Sequence, residues 1–176
     1  MIDEEIQEAL NDQINAELYS AYIYLSMAAD LGDRGLDGFE TWMHSQAIEE
    51  VNHAMRLYQY LESRGGRVEL EEIEKPKSKW DSPLQIFKDA YEHEQYVTGR
   101  INELADLAEE KNDRATLQML QWFIDEQVEE EESAEEIVDR LEMVGDDSSA
   151  LLMMDKEMGQ RPIGTVFPVK AGEGEE

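Results

Sequence analysis

The chain reads as a series of apolar stripes at helical spacing, each interrupted near its middle by polar residues. From about Asp3 to Leu31 there is no proline or glycine. Leu10, Ile14, Ala21 and Ala28 recur there at heptad spacing, with Ile6, Leu18 and Leu25 beside them. This predicts one long amphipathic helix, whose seam also holds Glu17 and Tyr24. Gly32-Asp33-Arg34-Gly35 breaks it. A second helix, from about Leu36 to Arg64, carries Leu36, Phe39, Met43, Gln46, Glu50, His53, Leu57 and Tyr60 on one face and ends at Gly65-Gly66. Ser82-Pro83, an N-cap followed by proline at the first helical position, opens a third helix that runs to about Lys111. Its seam is Leu84, Phe87, Tyr91, Glu94, Thr98, Ile101, Ala105 and Ala108. After the Asn112-Asp113 turn a fourth helix runs to about Val144, with Leu117, Leu120, Phe123, Gln127, Glu130, Ala134, Ile137 and Leu141 inward.

Gly145 closes the fourth helix, and Asp146-Asp147-Ser148 can cap a short fifth one through about Met158. The stretch from Arg67 to Ser82 has no helical period. At about 3.3 Å per residue it reaches the full length of a helix, so it can cross from one end of a bundle to the other. Trp80 is the residue expected to dock it. The expected architecture is all-α. A four-helix bundle with a long crossover spans 1–145, a short fifth helix spans 146–158, and a flexible tail spans 159–176.

The polar interruptions fall at one height. Glu17 lies 15 residues before Gly32, Glu50 15 beyond Gly35, Glu94 17 before Lys111 and Gln127 14 beyond Asp113. At about 1.5 Å per residue these distances agree to within about one turn. Antiparallel helices would therefore gather Glu17, Glu50, His53, Glu94, Gln127 and Glu130 at one level. A glutamate in an apolar seam is strongly unfavourable unless it is paired or bound to metal. Glu50 and His53, three apart, project from one helix face about a turn from each other and can grip one divalent metal. Tyr24 alone is an ordinary buried tyrosine, and His93 lies beside its seam as a surface or supporting group.

Composition narrows the ligand. The formal charge is −28, from 43 acidic against 15 basic residues, which favours cations and argues against duplex nucleic acid. There is no cysteine, hence no thiolate zinc site or iron–sulfur cluster. The acidic start has no apolar run after it, and no stretch approaches the length of a membrane span. The expectation is a cytoplasmic protein without membrane attachment.

Carboxylates from separate helices together with Glu-x-x-His closely resemble the ferritin-like di-iron bundles, and among them the non-haem ferritins of bacteria and archaea, over about residues 3 to 158. The resemblance implies an iron-storage protein with ferroxidase activity. By it, Glu17, Glu50 and His53 would hold a first iron. Glu50 would bridge to a second, completed by Glu94 and Glu130. Gln127 would stand beside that second iron as a hydrogen-bonding group, and Tyr24 would be a nearby redox-active tyrosine. Glu49, Glu126, Glu129 and Glu130 match the family's third, inner iron site, with Trp122 one turn before that cluster. Fe(II) and dioxygen or peroxide would be the reactants, and the assembly a hollow cage, usually of twenty-four chains, holding ferric mineral.

Departures discriminate within the family. Gln127-Val128-Glu129-Glu130 stands where a bacterioferritin would repeat Glu-x-x-His, and Asn52 where it would carry a haem-ligating methionine, so haem is not expected; Met55 is the nearest methionine. Two other classes share the pattern at this level. One is a di-metal oxygenase acting on an organic substrate, and the other is an acidic bundle without metal.

Overall fold

The computed structural model describes residues 2–165. Five helices follow one another: α1 Glu4–Asp33, α2 Asp37–Ser63, α3 Pro83–Glu110, α4 Arg114–Val144 and α5 Ser148–Met158. There is no strand among the described residues. The helix starts use the caps their sequences offer. Asp3 accepts from Glu5 N, Ser82 from Gln85 N, Asp113 from Thr116 N, and Asp147 from Ser149 N and Ala150 N. Gly35, Gly65 and Gly145 take positive φ where chain direction changes, as does Asn112 at φ 56° in the tight α3–α4 turn.

α1 packs on α2 and α3 on α4, with α1 also touching α3, so the four long helices bury their seams against one another. The core falls into two apolar clusters. One gathers Met27, Leu31, Phe39, Met43, Phe87 and Ile137, and the other Ile6, Leu10, Leu57, Leu61, Ile101 and Phe123. The buried polar residues Glu17, Gln46, Glu50, His53, Glu94, Gln127 and Glu130 belong to neither cluster and lie on the same four helices.

The connection between α2 and α3 runs along α1, fastened by α1's polar outer positions. Gln7 Oε1 accepts from Arg67 N (2.8 Å), Asn11 holds Arg67 O and Glu69 N, Asn15 donates to Glu72 O, and Ser26 to Lys77 O. Trp80 closes the crossover, buried in the core with its Nε1 donating to Asp89 (2.8 Å).

α5 docks where α2 begins. α2 has no side-chain cap of its own; Asp155 of α5 supplies it, one carboxylate oxygen accepting from Gly38 N and Phe39 N, both 2.9 Å. The approach is so close that a Cβ on Gly38 would stand 1.7 Å from the Asp155 carbonyl oxygen. Residues 160–165, expected as the start of a flexible tail, lie on α2: Ser45 Oγ donates to Pro162 O (3.5 Å) and Asn52 Nδ2 to Thr165 O (3.2 Å). The rest of the expected tail, 166–176, lies outside the described residues.

Candidate metal centre

Four helices each bring a carboxylate to the same level of the bundle, and all four carboxylates are buried: Glu17 from α1, Glu50 from α2, Glu94 from α3 and Glu130 from α4. His53, one turn beyond Glu50, is 4% exposed. Glu17, Glu50 and His53 each place one ligand atom within 4.8 Å of the others. His53 Nδ1 is 3.7 Å from Glu17 Oε2 and 3.8 Å from Glu50 Oε2, too far for hydrogen bonds. Glu17 Oε2 and His53 Nδ1 are the only buried side-chain polar atoms among the described residues without a hydrogen-bond partner. Two ligands of one metal, each about 2.1 Å from it, stand some 3–4 Å apart, so this unpartnered pair is spaced as ligands are.

Around that pair, Gln13, Glu94, Gln127 and Glu130 are hydrogen-bonded. Gln13, four residues before Glu17, donates to its Oε1 (2.7 Å) and is itself held by Arg100 (3.0 Å). Tyr24 donates a short hydrogen bond to Glu94, and Gln127 Nε2 donates to Glu94 Oε2 (3.2 Å) and to its backbone oxygen (3.3 Å). Gln46 donates to Glu130 Oε2 (2.6 Å). His93, partly buried, pairs with Ser20 (2.8 Å) between the rings of Tyr19 and Tyr24. The rings of Trp122 and His53 meet in a T-shaped contact, 5.4 Å between centroids.

Electrostatics follows from this crowding. Burial drives the Glu50 carboxyl well above its usual range, against the lowering effect of His53, and Glu94 and Glu17 add repulsion. Glu94 is raised to about 7 by burial and the charge of Glu130, with Tyr24 and Gln127 pulling the other way. Burial opposes charge on His53 too, yet Glu17 and Glu50 raise it well above the usual imidazole value. Burial likewise opposes ionisation of Glu17, but His53, Glu50 and Gln13 hold its carboxyl below normal. Burial and the Glu94, Glu50 and Glu130 charges push the Tyr24 hydroxyl far up, so it stays protonated. Without metal, this cluster balances its charge with protons.

Of the four carboxylates expected at the inner position, the structure brings Glu126 and Glu130 together. His53, Glu126 and Glu130 also offer ligand atoms within 4.8 Å of one another. Glu49 is half-buried and turned to Arg161 (2.7 Å), and Glu129 is exposed. Three supporting residues carry no such assignment from sequence. Gln13 and Gln46 carried a signal, since a glutamine at a seam position or one turn from a buried glutamate must bond something. Arg161, a single base in a stretch without period, carried none.

The arrangement defines a class, a four-helix bundle with a carboxylate- and histidine-lined interior for cations. Comparison with known proteins agrees. Residues 7–144 match the family profile Ferritin, the ferritin-like domain. A bacterial non-heme ferritin of Staphylococcus haemolyticus (strain JCSC1435) is 40% identical over 161 residues, covering 92% of this chain and 97% of the relative. An open-pore ferritin from the hyperthermophilic archaeon Archaeoglobus fulgidus superposes with a TM-score of 0.91 at 52% identity, over 92% of this chain and 99% of that one. A closed form engineered from the Archaeoglobus fulgidus ferritin superposes at 0.92 with 51% identity, over 93% and 100%. This chain belongs to the ferritin family, as an iron-storage ferritin of the non-haem bacterial and archaeal type. No helix of the described residues is long and apolar enough to cross a membrane.

Proposed function

We propose that this ferritin oxidises Fe(II) at a pair of metal positions inside each bundle and stores the ferric product in a hollow cage of twenty-four chains. One observation carries the reading: Glu17 Oε2 and His53 Nδ1 are buried, unpartnered and 3.7 Å apart, with Glu50 beside them. Burying two such atoms without a partner is costly unless a cation belongs between them.

In this reading Glu17, Glu50 and His53 take the first Fe(II). Glu50 is shared with a second position completed by Glu94 and Glu130. Carboxylates are hard oxygen donors that favour Fe(III) over Fe(II), so the bound pair is readily oxidised by dioxygen or peroxide. Gln127 fixes one oxygen of Glu94 through its amide. Tyr24, protonated and bonded to the same carboxylate, steadies it and stands next to the redox centre. Metal entry displaces the protons that balance the empty site, so His53 must be neutral and Glu50 and Glu94 ionised before they ligate. Glu49, Glu126, Glu129 and Glu130 form an inner third position. Glu130, shared by the second and third positions, lets iron pass inward.

Stopped-flow oxidation of Fe(II) by the metal-stripped protein tests this. Fast oxidation is expected, slowed by about a hundredfold in Glu50→Ala, which removes the ligand shared by both metals. Equal rates in the two proteins would overturn the reading. Particle size by light scattering tests the cage separately, since a monomer or dimer at all salt concentrations contradicts it.

A further inference from the structure

The described segment after α5 places a cation on the inner carboxylates. Arg161 Nη2 meets Glu49 Oε2 at 2.7 Å, and Nη1 donates a short hydrogen bond to Gln46 Oε1. With its carbonyl engaged, Gln46 turns its amide to Glu130 Oε2 (2.6 Å). The guanidinium therefore acts on Glu49 directly and on Glu130 through Gln46. It also lies over Trp42, 5.0 Å from the ring centroid. The backbone that carries it is fastened to the same face of α2 by Ser45 to Pro162 O and Asn52 to Thr165 O, and Gly164 lies close to Ile48.

We propose that Arg161 is the resident counter-ion of the inner carboxylate cluster, and that a divalent metal fills the inner position by displacing the guanidinium from Glu49. The inference rests on the inner position proposed above. Three features carry it. The oxygens that Arg161 and Gln46 occupy on Glu49 and Glu130 belong to carboxylates the metal would need. A guanidinium stays charged throughout the working pH range, so it competes with metal where a proton would already have left. The Arg161 and Glu49 side chains are 29% and 32% exposed, so the pair is held weakly enough for a divalent ion to break it. The consequence is an inner position that fills only under metal excess and empties readily, as suits transfer rather than retention.

Zinc(II), which is not oxidised, is the probe for the metal-stripped full-length protein. Calorimetric titration is expected to resolve a third, weak binding event per chain that Glu126→Ala abolishes. Arg161→Gln, which keeps a hydrogen-bonding group toward Gln46 but no charge, is expected to tighten that event by about fivefold, the strength of a partly exposed ion pair. Arg161→Lys should stay near the unaltered protein. In zinc-soaked crystals the third peak should appear with the Arg161 guanidinium moved off Glu49. An unchanged or weakened third event in Arg161→Gln, or zinc bound with Arg161 still on Glu49, overturns the proposal while leaving the inner position standing. No third event in either protein overturns the inner position, and this proposal with it.

Discussion

Glu94→Gln separates what the buried carboxylates do to the metal-free fold from what they do for metal. Glu94 is 1% exposed, and burial together with the charge of Glu130 raises its pKa from 4.5 to about 7. Below pH 4.5 the carboxyl is protonated in folded and unfolded chains alike, and its titration has no effect on stability. Between 4.5 and 7 the unfolded chain has lost the proton and the folded chain keeps it, so stability falls as pH rises. Above 7 both are ionised, and the penalty stays constant at about 3 kcal/mol, from roughly 1.4 kcal/mol per pH unit. Glutamine keeps an oxygen for Tyr24 and loses the charge, and a flip of the Gln127 amide turns its oxygen to the new amide N–H. Metal-stripped Glu94→Gln should therefore be more stable than the unaltered protein by about 3 kcal/mol at pH 8.5, and within about 1 kcal/mol of it at pH 5. Urea unfolding at fixed subunit concentration measures both. Saturating zinc should reverse the order at pH 8.5, because the carboxylate then has its cation. A metal-stripped variant no more stable than its parent at pH 8.5 would refute the reasoning.

Metal loading should release protons. His53 and Glu50 have raised pKa values and Glu94 sits near 7, so metal competes with protons for these groups and affinity should fall as pH is lowered. Calorimetry in buffers of different ionisation enthalpy should show net proton release on metal binding, and no net release would contradict this charge balance. Gly38→Ala should unseat α5, because its Cβ would stand 1.7 Å from the Asp155 carbonyl oxygen. Losing the Asp155 cap and the burial of Met154 and Met158 should lower stability by roughly 3 kcal/mol, and unchanged thermal unfolding would argue against this packing. With a charge of −28 per chain, assembly should weaken as salt falls from about 1 M to about 0.01 M, and a particle size constant across that range would contradict self-repulsion.

Helix number, helix ends and the height of the site are legible in the sequence, because apolar period and capping residues act locally. The inward seams of α1 to α4 and the buried Glu17, Glu50, His53, Glu94, Gln127 and Glu130 follow from that period alone. Leu25, placed beside the α1 seam, is 48% exposed, because one residue is about 100° of helix turn and carries it off the face that buries Tyr24 and Ala28. Contacts that join distant segments are not periodic and leave no such mark. Gly38 reads only as a poor helix former until the Asp155 carbonyl is seen against it. Asp155 itself reads as one acid among 43 although it caps another helix. Arg161 reads as a tail residue although it meets Glu49 and Gln46 across more than a hundred positions of chain. Roles within the site depend on which oxygen faces which partner, which is set by neighbouring helices. Glu49 and Glu129 differ for that reason, one turned to Arg161 and the other to solvent.

The most direct test of the central claim is anomalous diffraction at the iron edge from crystals loaded anaerobically with Fe(II). Two iron peaks per bundle are expected between Glu17 and Glu94, the first within bonding distance of Glu17, Glu50 and His53 and the second of Glu50, Glu94 and Glu130. The first should vanish in His53→Ala. An iron-loaded crystal with no peak among these residues would contradict the account.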